Sequence, residues 1–91
     1  MSERVALIEE RLRAALAPDS LEITDDSAAH AGHAGAREGG HFTVSIISTA
    51  FAGKTLIQRH RLIYTAVADL MHGEIHALSI AKARTPGETR P

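Results

Sequence analysis

The segment His41 to Ser48 alternates strictly, with Phe42, Val44 and Ile46 on one side and Thr43, Ser45 and Ile47 on the other. A strand of that period has one apolar face and needs a cover on that face only. Leu21 to Asp25 repeats the pattern in a shorter form: Leu21 and Ile23 face one way, Glu22 and Thr24 the other. Ile75 to Ala83 reads as a third strand, with Leu78 and Ile80 sharing a side with His76 and the small residues Ala77, Ser79 and Ala81 opposite. Three one-faced strands predict a small sheet with its cover on a single side.

Two segments of helical period supply that cover. Near the start, Val5, Ile8, Leu12 and Leu16 recur at spacings of three and four, Ser2 can cap the helix, and Pro18 stops it. The second helix starts after a Thr55 cap and extends to about His72, roughly 27 Å at 1.5 Å per residue. Its expected core stripe is Leu56, His60, Ile63, Val67 and Leu70, widened by Ile57, Tyr64 and Met71, with Gly73 just past its end. The element order is helix, strand, strand, helix, strand, an α+β arrangement. The first two strands are expected antiparallel. The crossover helix makes the third parallel to the second and right-handed.

Size limits what such a fold can do. The chain has 91 residues, and a chain of this length buries only about 60–65% of the surface its unfolded form exposes. That predicts one domain over residues 1–91, with Ser27 to Gly40 as a mobile His/Gly-rich loop and Arg84 to Pro91 as a flexible tail. A self-contained enzyme with a deep pocket is not expected. No Gly-x-Ser-x-Gly elbow surrounds any serine, and the carboxylate pairs Glu9–Glu10 and Asp25–Asp26 have no evident pocket. Lys and Arg total 10 against 11 Asp and Glu, so net charge makes no case for nucleic acid or an anionic membrane. No apolar run approaches a membrane span, and the first ten residues are too charged for a signal peptide. The expected location is cytoplasmic.

Cysteine is absent, which removes disulfides, thiol nucleophiles and all-cysteine metal sites. There are six histidines beside only three aromatic residues. In the expected topology the loop after the first strand, the start of the second strand, the end of the long helix and the start of the third strand lie at one end of the domain. His30, His33, His41, His72 and His76 therefore collect there, and His60 lies apart on the helix. Neutral imidazole ligates zinc, copper and iron, so the cluster points to metal ligation or a partner site. Solvated loop residues and a core-facing His60 would account for the same histidines individually. Lys54, Arg59 and Arg61 form a small basic patch that reads equally as a solvated helix face.

The run Phe51-Ala52-Gly53-Lys54-Thr55-Leu56-Ile57-Gln58-Arg59-His60-Arg61-Leu62-Ile63-Tyr64, with Ile75-His76-Ala77-Leu78 and Thr85-Pro86 downstream, resembles the BolA-like proteins. Asp25-Asp26-Ser27 and His41-Phe42 match upstream, and the resemblance extends from Glu3 to Glu88. It implies an αββαβ fold similar to a type II KH domain. It also implies a non-enzymatic partner of monothiol Cys-Gly-Phe-Ser (CGFS) glutaredoxins. Such pairs share a bridging [2Fe–2S] cluster and act in iron–sulfur maturation or in iron and redox regulation. By that resemblance His76 is one cluster ligand and His30 the other, with His33 as the alternative loop ligand, while the glutaredoxin and glutathione supply thiolates. Imidazole ligation of one iron is chemically sound, as in Rieske-type centres. A second reading is a DNA-binding regulator using Lys54, Arg59 and Arg61, although the turn lacks a Gly-x-x-Gly loop. A third is a zinc or nickel module built on several loop histidines. The expected partners are a CGFS glutaredoxin, then DNA and a weak homodimer, and no membrane.

Overall fold

A computed structural model describes residues 3–27 and 39–89. Its elements are α1 (Glu3–Leu16), β1 (Ser20–Asp25), β2 (Gly40–Ile47), α2 (Leu56–Ala66) and β3 (Ile75–Arg84), with short 3-10 turns at Thr49–Phe51, Ala68–Leu70 and Pro86–Thr89. The strand order is β1-β2-β3, with β1 antiparallel and β3 parallel to β2. This is the α+β order read from the sequence.

The alternation in β2 sets the layers. Phe42, Val44 and Ile46 are buried, while the residues between them are only half-buried. Leu21 and Ile23 stand opposite Ile46 and Val44 and join the same core. Ile8, Leu12 and Leu16 of α1 and Ile63 of α2 close over that face with Phe51, Val67 and Leu70. Both described helices therefore lie on one side, and neither covers the His41 face of β2.

The helix ends are fixed by polar contacts. Ala17 adopts a left-handed backbone, φ 41°, and its N–H donates to the Arg13 carbonyl. The Ser48 hydroxyl donates to the Leu16 carbonyl at 2.6 Å, and the hydroxyl oxygen accepts the Ala50 N–H at 3.1 Å. Ser48 is fully buried, so this one side chain ties the end of α1 to the end of β2 and caps the following 3-10 turn. At α2, Thr55 and Gln58 form the reciprocal capping box, the cap expected from Thr55.

The second helix is shorter than its periodicity suggests. It ends at Ala66, and Val67 leaves helical geometry before the Ala68–Leu70 turn. Eleven residues span about 16 Å, not 27 Å. The 3-10 geometry places residues three apart on one side, so Val67 and Leu70 still reach the core. The stripe also shifts. Leu56 and Ile57 are 62% and 66% exposed, and Tyr64 and Met71 are exposed as well. Leu56 and Ile57 at the start of α2 face solvent, and His60 is half-buried at the rim of an open cleft and not in the core. Gly73 lies in the turn before β3, beyond the 3-10 segment, and does not end α2.

Part of the segment expected to be a flexible tail is held in place. Residues Pro86–Thr89 form a turn anchored by Glu88, whose carboxylate accepts from Arg59 and from the Thr85 N–H. Residues 28–38, with the candidate ligands His30 and His33, lie outside the described residues, as does the Ser2 cap.

Ser48→Ala removes a donor from the buried Leu16 carbonyl and an acceptor from the half-buried Ala50 N–H. The expected loss is about 1–3 kcal/mol, read as a lower urea midpoint with an unchanged denaturant slope.

Candidate metal-binding site

The site begins at two glycines. Gly39 has φ +149°, and a Cβ there would lie 2.8 Å from the Gly73 carbonyl oxygen and 2.9 Å from the His76 nitrogen. A Cβ on Gly40 would meet the Phe42 ring at 2.6 Å and the Ser27 hydroxyl at 2.8 Å. A side chain at Gly39 would separate the two backbones and one at Gly40 would displace the Phe42 ring and the Ser27 hydroxyl, so glycine is what permits the close approach. The Gly40 N–H then donates to the Glu74 carbonyl at 3.1 Å and starts the parallel pairing.

Immediately beyond, the register slips. Gly40 stands opposite Ile75, but His41 stands opposite Ala77. His76 is the extra residue of a bulge, a device that re-aims a side chain and is rare in parallel pairs. Ile75 and Leu78, three apart, are both buried, and His76 between them is exposed. The sequence pattern put His76 on the core side with Leu78 and Ile80; the bulge turns it outward. Its ring comes to rest 5.0 Å, centroid to centroid, from that of His41, at an interplanar angle of 47°.

The backbone of His41 is pinned on both sides of its own peptide. Its N–H donates to the Ser27 hydroxyl at 3.1 Å, and its carbonyl accepts from the Asp26 N–H at 2.7 Å. The Asp26 carboxylate in turn accepts from the Thr43 hydroxyl at 2.6 Å. Bonds from the Ser27 hydroxyl and, secondarily, its N–H hold the Asp25 carboxyl below its ordinary value. Ser27 thus secures the end of β1 and the start of β2 together.

The expected gathering of histidines is realised among the described residues for His41 and His76, which meet. His72 is exposed in the turn before β3. No group of three or more His, Cys, Asp or Glu side chains that could hold a metal occurs among the described residues. Imidazole nitrogen is a fitting donor for a borderline metal or for one iron of a cluster. With no cysteine in the chain, thiolates would have to come from elsewhere.

The basic patch has a different character. Arg59 is 12% exposed and fully engaged. Its guanidinium donates to Glu88 at 2.6 and 2.9 Å, to the Lys54 carbonyl and to the Ala83 carbonyl, and lies 5.9 Å from the Phe51 ring centroid. It clasps the C-terminal turn and does not project toward solvent as a phosphate ligand would. Lys54 and Arg61 are exposed. A cleft of about 410 Å³ opens beside the clasp, lined by Leu56, His60, Ile80 and Lys82 among others. Tyr64 donates to the Leu78 carbonyl at 2.7 Å farther along β3.

A family model described as BolA-like protein matches residues 12–88. The chain belongs to the BolA family. Human BolA-like protein 1 is 41% identical over 93% of this chain and 60% of that protein. The Escherichia coli protein named DNA-binding transcriptional regulator BolA is 41% identical over 80% of this chain and 68% of that one. The solved BolA domain of SufE1 from Arabidopsis thaliana superimposes with a TM-score of 0.84 at 45% identity, covering 98% of this chain and 99% of that domain. This chain spans only 25% of the full SufE-like protein 1, whose name places it in chloroplasts and mitochondria. No described helix is long and apolar enough to cross a membrane. The resemblance stated for the sequence is thus shown at the level of family and fold.

Two predictions follow from this geometry. Gly39→Ala pushes a Cβ into the backbone of His76. It should cost about 1–3 kcal/mol and shift the imidazole NMR signals of both His41 and His76. The second concerns the clasp. Hydrogen bonds from Arg59 lower the Glu88 pKa to about 2 from its ordinary 4.5. A depressed carboxyl pKa stabilises the folded state above the unfolded value and loses that contribution as pH falls through the folded one. The Thr85–Thr89 turn should hold at pH 4 and release as pH approaches 2. Carboxyl NMR titration of Glu88 checks this, and Glu88→Gln should already be released at pH 4.

Proposed function

We propose that this chain is a non-enzymatic adaptor that docks a CGFS monothiol glutaredoxin and shares a bridging [2Fe–2S] cluster with it. It would serve iron–sulfur maturation or iron and redox regulation in the cytoplasm. The observation that carries the reading is the bulge at His76, which presents an imidazole to solvent at the edge of a chain without thiols. An iron–sulfur cluster on that imidazole is complete only when another molecule brings thiolate ligands.

His76 is the ligand this chain offers from its sheet, and His30, or His33 in its place, is the loop ligand. The glutaredoxin and glutathione provide thiolates. When bound, the cluster supplies an electron-accepting centre whose potential rises with imidazole ligation. The chain's own part is to hold His76 on a rigid strand and to keep its ring turned away from the core. Imidazole must be neutral to ligate, so protons compete with iron for the ligating nitrogen.

The name of the Escherichia coli relative favours DNA binding as a second reading. Lys54 and Arg61 would then carry the phosphate contacts, since Arg59 is held by Glu88. That reading requires binding that weakens with salt and with neutralisation of either residue.

The test is cluster reconstitution with a CGFS glutaredoxin in the presence and absence of this chain, followed by visible circular dichroism. A new spectrum that His76→Ala abolishes is the expected result, and His30→Ala and His33→Ala then assign the loop ligand. A spectrum identical to that of glutaredoxin alone, with no complex on gel filtration, would sink the adaptor reading for that partner.

A further inference from the structure

The bulge does more than expose His76. It delivers that ring to His41, a residue that the family resemblance does not place among the cluster ligands. Two imidazoles bound to one tetrahedral ion through bonds of about 2.1 Å place their ring centroids about 5 Å apart. The observed separation is 5.0 Å. The rings are tilted by 47° and are not stacked face to face. His76 is exposed and His41 half-buried, so an ion can reach the pair from solvent.

Both residues stand on paired strands and not on loops, and both backbones are fixed. Ser27 and Asp26 bind the His41 peptide, and the Gly39–Gly73 approach sets the His76 backbone. Ligands held this way lose little freedom on binding, which raises affinity for a given number of bonds. Neutral imidazole suits zinc, nickel and copper.

We propose that His41 and His76 form a preformed two-imidazole site that takes one divalent transition-metal ion in the free chain, with water completing the shell. The site shares His76 with the cluster reading but needs no partner. Failed reconstitution with a glutaredoxin leaves it standing, and failed divalent binding leaves the cluster reading standing.

The experiment uses the full chain without an affinity tag. Zn²⁺ and Ni²⁺ are titrated by calorimetry into the native chain and into His41→Asn, His76→Asn and the His30→Asn/His33→Asn double variant. One ion per chain is expected. Either single variant should lower affinity at least tenfold, whereas the double loop variant should stay within about threefold of the native chain. A second measurement avoids dependence on the folding of the variants. Substoichiometric Co²⁺ added to the native chain should broaden the imidazole signals of His41 and His76 first. No saturable binding, binding unchanged by His41→Asn, or binding lost with the loop histidines would each overturn the site. So would Co²⁺ broadening centred elsewhere.

Discussion

The close approach of two backbone segments, Gly39 against the stretch from Gly73 to His76, governs the rest of the molecule. No side chain fits between them: a single Cβ at Gly39 would come within 3 Å of two backbone atoms. Because the segments touch, β2 and β3 begin together at one end of the sheet. Because they begin together, the turn after the helix, the end of β1 and the start of β2 converge there as well. The parallel pairing forces α2 to cross back over the sheet. That crossing places both described helices on one face. The histidine site is therefore a product of topology held by backbone contact, between the buried side chains of Phe42, Ile75 and Leu78.

The opposite end of the sheet is organised by a buried hydroxyl. Ser48 links the last carbonyl of α1 to the turn after β2, and its N–H donates to the Arg84 carbonyl of β3. Three elements thus meet at one small polar residue whose hydrogen bonds are all satisfied internally. Such a group specifies geometry at low cost, because no buried polar atom is left unpaired. On the surface, Arg11 performs a comparable linking role, donating to both oxygens of Asp69 and joining α1 to the segment after α2.

Much of this was legible in the residues. The strict alternation of β2 identified its buried face, and the Thr55 cap located the start of α2. The topology alone brought His41 and His76 to one end. What remained hidden was non-local. The side taken by His76 depends on a one-residue slip between strands, and a slip of one residue reverses every face that a period-two pattern assigns. Nothing within Ile75-His76-Ala77-Leu78 records that slip, which arises where Gly39 meets the chain ahead of β3. The end of α2 was obscured for a different reason: Val67 and Leu70, three apart, fit a 3-10 turn as well as a continued helix. Leu56 and Ile57 look like core positions by spacing, yet Leu56 lines an open cleft beside β3 and both side chains are exposed. Arg59 looked like an exposed cation because its partner, Glu88, lies 29 residues away.

The side chains that α2 extends toward β3 have a consequence for how copies of this protein meet one another. β3 is an edge strand, and edges invite a neighbouring chain to add on and prolong the sheet. Here Tyr64 occupies the carbonyl of Leu78 and Arg59 occupies that of Ala83. An incoming strand finds two of its anchoring points already taken, and the second register slip at Val44/Ser45 bends the ladder between them. At the other edge, β1 offers only six residues. The fold thus leaves its sheet difficult to lengthen from either side. That guards against fibrous self-assembly in a molecule whose two described helices cover only one face of the sheet.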